Sequence, residues 1–292
     1  MVNKERTISL VSFADRRYRN ALKRMAKNTE KFPFTEWHFC DETNSLDQSY
    51  WRKLKPWLYR RGFGYWKWKA DIVKSFFDKM SDGDIIVYTD GGIVWNNSDK
   101  ALERFQDYLD MLTLEKPILA FQEPYIEQEW TKGDLLKAVG VYDDDAFIGT
   151  NQLWGGCFML MKSPVSEKFL NDWIALNDLS KELITDKRSI VANKPGFKEH
   201  RHDQSTFSLT AKRYPHTEIS WKETHVEDGN CLNVDAANCN SPILAKRTKE
   251  IGRPKSEIIK NKLLRPWRMF LNFYFRKIRD YEFAGTKYPW EE

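Results

Sequence analysis

The chain has 292 residues, with 47 Lys and Arg against 42 Asp and Glu, a formal net charge of +5. A hydrophobic fraction of 41% and a charged fraction of 30% exclude a disordered, collagen-like or disulfide-scaffold protein, and a chain of this length buries a substantial core in one large domain or two small ones. The unusual count is aromatic: 12 Trp, 12 Tyr and 18 Phe make 14% of the chain, flat side chains that serve cores, stacking on sugars or bases, or a membrane interface.

Thr7 to Phe13 is a short β-branched run that predicts a first strand, ending in the loop Ala14-Asp15-Arg16-Arg17. Leu22, Met25 and Ala26 give the apolar face of a helix, and Trp37 to Cys40 reads as a second strand after Pro33. Gly62-Phe63-Gly64 punctuates the chain before Tyr65 to Met80, where Trp66, Ala70, Val73, Phe76, Phe77 and Met80 recur at helical spacing. Ile85 to Tyr88 and Ile118 to Phe121 are continuous apolar runs of the kind buried on both faces of a sheet. Leu153 to Lys162 predicts a strand with a glycine-opened start, and Ser166 to Asp178 and Asp203 to Lys212 predict helices. Strands alternating with helices imply βαβ units and a mostly parallel α/β sheet, with ligands at the carboxyl ends of its strands. A domain boundary is expected near Lys246, where the composition changes.

Cys40, Cys157, Cys231 and Cys239 form no C-x-x-C pair and the five histidines have no finger spacing, which argues against structural zinc and fits a reducing compartment. Met1 to Arg6 is charged and no apolar run has the length of a bilayer span, so a cytoplasmic protein, or one held on a cytoplasmic surface, is expected.

Three stretches can carry chemistry. In Asp84 to Gly92 (DIIVYTDGG) a buried strand ends on Asp90, where a parallel sheet presents ligands, and Gly91 and Gly92 let a diphosphate or metal approach the backbone. Asp-Gly between apolar runs is equally a hairpin signal. In Arg201-His202-Asp203-Gln204-Ser205 a cluster of polar groups stands just before a helical pattern; the alternative is that Asp203 caps the helix while Arg201 and His202 are solvated. In Gly64 to Asp71 (GYWKWKAD), Trp66, Lys67 and Lys69 offer stacking faces and cations for a nucleotide, or Trp66 and Trp68 are the core and rim of an ordinary helix.

Taken in order, GYWKWK, DGDIIVYTDGG, NQLWGGCFMLMK and RHDQSTFS resemble a group of bacterial polysaccharide-synthesis glycosyltransferases of the GT-A, nucleotide-diphospho-sugar transferase type. The resemblance spans about Thr7 to Lys249, and RHDQS following DGDIIVYTD is its most specific part. It implies a Rossmann-like GT-A domain over residues 1–249, an EC 2.4 activity, and a nucleotide-sugar donor, UDP-sugar favoured, over the sheet's carboxyl edge. The implied donor-binding residues are Asp15, Trp66, Lys67, Lys69, Asp90, Gly91 and Arg201; the acceptor side falls to Trp154, Gly155 and Gly156. Asp203 is placed nearest the reacting carbon or acceptor hydroxyl, with His202 and Gln204 orienting it. The resemblance further implies Mn²⁺ or Mg²⁺ held by Asp90, with His225 as a second ligand; Asp90-Gly91-Gly92 departs from the relatives' pattern in carrying one acid of a D-x-D pair. A sugar nucleotidyltransferase is the alternative enzyme, but Ser12 to Arg17 lacks its glycine-rich loop. The alternative non-enzyme is a nucleic-acid binder using basic and aromatic residues.

Between Lys246 and Arg279 stand twelve basic residues and two acidic ones, a net +10, so the remainder is net −5. Trp267, Phe270, Leu271, Tyr274, Phe275 and Ile278 recur at helical spacing after Pro266. Residues 250–292 are therefore expected to form a basic amphipathic helix, either lying in an anionic membrane leaflet at the inner face of the cell membrane or packed back on the catalytic domain. This division of charge favours an anionic membrane surface and a glycan or lipid-linked acceptor as partners, and no nucleic acid.

Overall fold

The structure is a computed structural model that describes residues 6–15, 18–225 and 240–245. The boundary expected at residue 249 and the helix expected in 250–292 lie outside the described residues.

β1 (Ile8–Phe13) is followed by α1 (Arg19–Asn28), which turns Leu22 and Met25 inward. β2 (Glu36–Cys40) pairs parallel with β1. α2 (Gln48–Leu54) opens on Asp47, whose carboxylate accepts the N–H groups of Ser49 and Tyr50 at 2.7 and 2.9 Å. The next turn, α3 (Gly62–Tyr65), is left-handed: Gly62, Phe63, Gly64, Tyr65 and Trp66 all have positive φ. Two glycines enter this conformation freely, but the three L-residues cost roughly 1–2 kcal/mol each. Ring packing holds them there, with Phe63 against Trp51 at 5.5 Å and Trp66 stacked on His202 at 5.9 Å. The right-handed helix expected from Tyr65 therefore begins three residues later, as α4 (Trp68–Phe77).

After β3 (Ile85–Thr89) the chain leaves the sheet. β4 (Val94–Trp95) pairs antiparallel with Ile243–Leu244, not with β3, so the hairpin reading of Asp90-Gly91 gives way. α5 (Asp99–Asp110) leads to β5 (Ile118–Ile126), and the turns α6 (Glu127–Trp130), α7 (Gly133–Ala138) and α8 (Asp145–Ile148) lead to β6 (Asn151–Met161). α9 (Pro164–Leu179) starts on Pro164 behind a Ser163/Ser166 capping box. α10 (Lys181–Ile184), α11 (Asp203–Ala211), β7 (His216–Ile219), α12 (Trp221–Thr224) and β8 (Ile243–Leu244) complete the described chain.

The main sheet has the order β2-β1-β3-β6-β5-β7. Three of its five pairings are parallel, and β6 runs antiparallel to both neighbours. The α/β class and the mostly parallel sheet flanked by helices agree with the sequence. Strand alternation explains the continuous apolar runs. Ile86 and Tyr88 face one core with α4, α9 and α11, while Ile85 and Val87 face the other with Met25 and Phe105. Much of the aromatic excess is spent here. Phe207, fully buried, lies 4.8 Å from Phe158 and 5.2 Å from Trp173 between ring centroids.

Truncating that contact, Phe207→Ala, is expected to cost about 3–5 kcal/mol of stability through lost burial and an unfilled cavity. Urea denaturation of the full chain, compared at equal slope, measures it.

Candidate active site

Four pieces of chain meet at the carboxyl end of β3. Asp90 directly follows the strand, and its N–H donates to the carbonyl of Gly156 at 2.8 Å. Gly155 and Gly156 in β6 let neighbours approach where a side chain would collide: a Cβ on Gly156 would sit 2.5 Å from Trp154 Nε1 and 3.0 Å from Asp90 Oδ2, and one on Gly155 would sit 3.0 Å from Gln204 Cα. α4 supplies Lys69 and α11 supplies Asp203.

Lys69 joins them. Its side chain is 2% exposed, and Nζ donates to Asp203 Oδ2 at 2.6 Å and Gly155 O at 2.7 Å, with Asp90 Oδ1 at 3.2 Å. Three donors thus face three acceptors. Burial works against the ammonium, but Asp203 and then Asp90 outweigh it and raise its pKa. Tyr88, under Lys69 at 5.3 Å, donates its hydroxyl to Asp90 Oδ1 at 3.0 Å. Burial pushes Asp203 up to about 6, against the pull of Lys69 and with a further push from Asp90. Above that pH the three side chains carry a net single negative charge. Asp90 is the accessible member: its side chain is 33% exposed against 8% for Asp203.

Asp203 is the first residue of α11, behind His202 at φ 56°, where no side chain caps the helix. The capping reading of Asp203 gives way to an ion pair. His202 is buried and turned from this pair: Nδ1 meets Ile184 O at 2.7 Å, and its ring packs between Tyr65 and Trp66. Burial lowers its pKa to about 4, so the ring is neutral and Nδ1–H donates. Gln204 donates to Gln152 Oε1 at 2.7 Å, and Gln152 donates in turn to Glu127 Oε1 at 3.0 Å. Glu127 is fully buried and also meets Thr131, Ser208 and Lys212.

The remaining expected residues are scattered around this centre. Arg201 lies over Trp130, 4.1 Å from the ring centroid, and near Tyr125 at 5.1 Å. Lys67 points away and pairs with Asp178. Asp15 is buried just after β1, and Gly91 packs beside it against Ala14. Trp154 stands between Gly156 and His225, whose ring is 5.9 Å away. Tyr88, Gln152 and Glu127 were not legible as site residues, because a Tyr inside an apolar strand reads as core and isolated Gln and Glu carry no spacing.

A divalent cation at Asp90 finds a poor donor set among the described residues. No group of three His, Cys, Asp or Glu is assembled there. His225 is engaged by Glu123 at 3.1 Å, and the Lys69 ammonium already lies between the two carboxylates. The expected pair of Asp90 and His225 therefore does not make a metal site with the residues described.

No protein-family model matches the chain, and no curated protein matches it. Among solved structures it is similar to a glycosyltransferase involved in glycosylation of the major capsid of PBCV-1, with 10% identity, TM-score 0.43, and 86% of this chain and 97% of that chain covered. It is also similar to the glycosyltransferase GlyE of Streptococcus pneumoniae TIGR4, with 10% identity, TM-score 0.43, and coverage of 77% and 47% respectively. The galactosyltransferase LgtC, solved with donor and acceptor sugar analogs, aligns at 15% identity and TM-score 0.39 over 74% of each chain. Likenesses at these TM-scores assign neither substrate nor residue roles to this chain.

Lys69→Met is expected to destabilise the protein by about 3–5 kcal/mol, because it leaves Asp203 and Asp90 without their buried counter-charge. Asp203 has a folded pKa above its unfolded one, so it is the ionised form that costs. The loss should be largest above pH 6 and shrink as the pH falls through Asp203 titration. Thermal unfolding at pH 5 and pH 8 distinguishes the two regimes, and adding Asp203→Asn should restore part of the stability at pH 8.

Proposed function

We propose that the protein is a glycosyltransferase that moves a sugar from a nucleotide-diphosphate-sugar, UDP-sugar favoured, to a glycan or lipid-linked acceptor in bacterial surface polysaccharide synthesis. The observation that carries this reading is the Asp90–Lys69–Asp203 cluster at the carboxyl end of β3, beside the bare backbone of Gly155 and Gly156. Motif order and spacing support the family, and the division between a net −5 body and a net +10 segment at 246–279 supports a cytoplasmic protein held on the inner face of the cell membrane.

In the proposed step the bond between the anomeric carbon and the diphosphate oxygen breaks, and its electron pair leaves with the nucleoside diphosphate. The acceptor hydroxyl oxygen bonds to the anomeric carbon, and its proton passes to a carboxylate of the cluster. The cluster's net negative charge favours the cationic, oxocarbenium-like sugar. Lys69 holds the two carboxylates in place with two of its donors and anchors the third on the Gly155 carbonyl, so its role is to position them. Arg201 is the proposed cation for the departing diphosphate. Trp154 offers a flat face to the acceptor beside Gly156.

A thermal-shift panel of UDP-, GDP-, CMP- and dTDP-sugars, with and without Mn²⁺, tests the donor class, since a ligand of the native state raises its stability. One responding nucleotide supports the reading; silence across the panel overturns it. Asp203→Asn is expected to retain the fold while lowering transfer by about 10²-fold or more. The carboxylate form of Asp203 is the active one, so wild-type activity should fall on the acid side with a midpoint near pH 6, measured as nucleoside diphosphate release against pH.

A further inference from the structure

A cavity of about 600 Å³ opens between the end of α2, the left-handed turn and α10. It is separate from the Asp90–Lys69–Asp203 centre: Lys69 at the start of α4 reaches the centre, while Lys67 and Asp71 of the same segment face the cavity. Its volume falls within the range of pockets that hold small ligands.

The lining has three kinds of group. Tyr50, half-buried, supplies a flat apolar face, while Tyr59 and Tyr65 are buried in the wall, and Lys181 Nζ hangs 5.9 Å over the Tyr59 ring. Asp71 and Asp178 supply carboxylate acceptors; Asp71 takes the Tyr50 hydroxyl at 2.6 Å, and Asp178 holds Lys67. Lys53, Lys55, Lys67 and Lys181 supply cations, four against two carboxylates. Beyond the lining lysines, the surrounding chain adds Arg52 and Arg60, both exposed, and Trp57, which is 59% exposed.

The Tyr50 face suits the apolar side of a sugar ring, the carboxylates Asp71 and Asp178 suit its hydroxyls, and a rim of lysines suits a carboxylate or phosphate substituent. We propose that this cavity is a binding site for an acidic oligosaccharide. The inference does not rest on sugar transfer, because it uses none of the residues of the reaction centre. A path between the two sites nevertheless exists. Tyr65 in the cavity wall donates its hydroxyl to Asp186 at 2.7 Å, Asp186 lies 3.6 Å from His202 Nε2, and His202 immediately precedes Asp203.

Isothermal titration of the full chain with tri-galacturonic acid, maltotriose and inorganic phosphate tests the proposal. Tri-galacturonic acid should bind, weaken as salt is raised, and bind the Lys53→Glu/Lys181→Glu variant about tenfold or more less tightly. Both lysines are exposed, so that variant should keep the wild-type melting transition; should it not, Lys53→Gln/Lys181→Gln replaces it with the same expected direction. Absence of tri-galacturonic acid binding, or equal affinity in wild type and variant, overturns the proposal. Maltotriose binding as tightly as tri-galacturonic acid removes the acidic selectivity, and inorganic phosphate binding as tightly reduces the site to an anion contact; either result also overturns it.

Discussion

A buried ammonium group is tolerated only where acceptors meet all of its N–H bonds and a negative charge offsets its lost hydration. Lys69 satisfies both conditions with one carbonyl and two carboxylates, drawn from three elements far apart in sequence. Much of the carboxyl edge of the sheet follows from that requirement. β3 must end where Asp90 reaches Nζ, β6 must expose the Gly155 carbonyl, and α11 must start at Asp203. Gly156 and Gly155 are the corresponding concessions of backbone, each leaving space for a neighbour that the cluster brings close.

The left-handed turn before α4 belongs to the same constraint. Its five residues of positive φ carry a local cost that stacking of Trp66 on His202 and packing of Phe63 against Trp51 help to offset. Because the same turn lines the cavity, the strained segment is shared between the reaction centre and the proposed saccharide site.

Aromatic side chains divide between two tasks. Phe158, Phe169, Trp173 and Phe207 fill one face of the sheet and Phe32, Phe34, Trp95 and Phe105 the other, where their large area stabilises the core. Trp154, Trp130 and Trp66 instead stand beside charged or polar groups near the sheet edge. Among the described residues, core packing takes the larger share of the aromatic excess.

By itself, the sequence determined the α/β class, most strand positions and the candidate carboxylates. Continuous apolar runs such as Ile85 to Tyr88 can only be buried on both faces, and an acid ending such a run lies at the edge where parallel strands present ligands. Tertiary structure alone decided the direction of β6, the departure of β4 from the sheet, the handedness of residues 62–66 and the contacts within the site. The reason is that periodicity reports which face of an element is buried but not which element covers it. Lys67 and Lys69 are indistinguishable in GYWKWK; only the packing of α4 sends one to Asp178 and the other between Asp90 and Asp203.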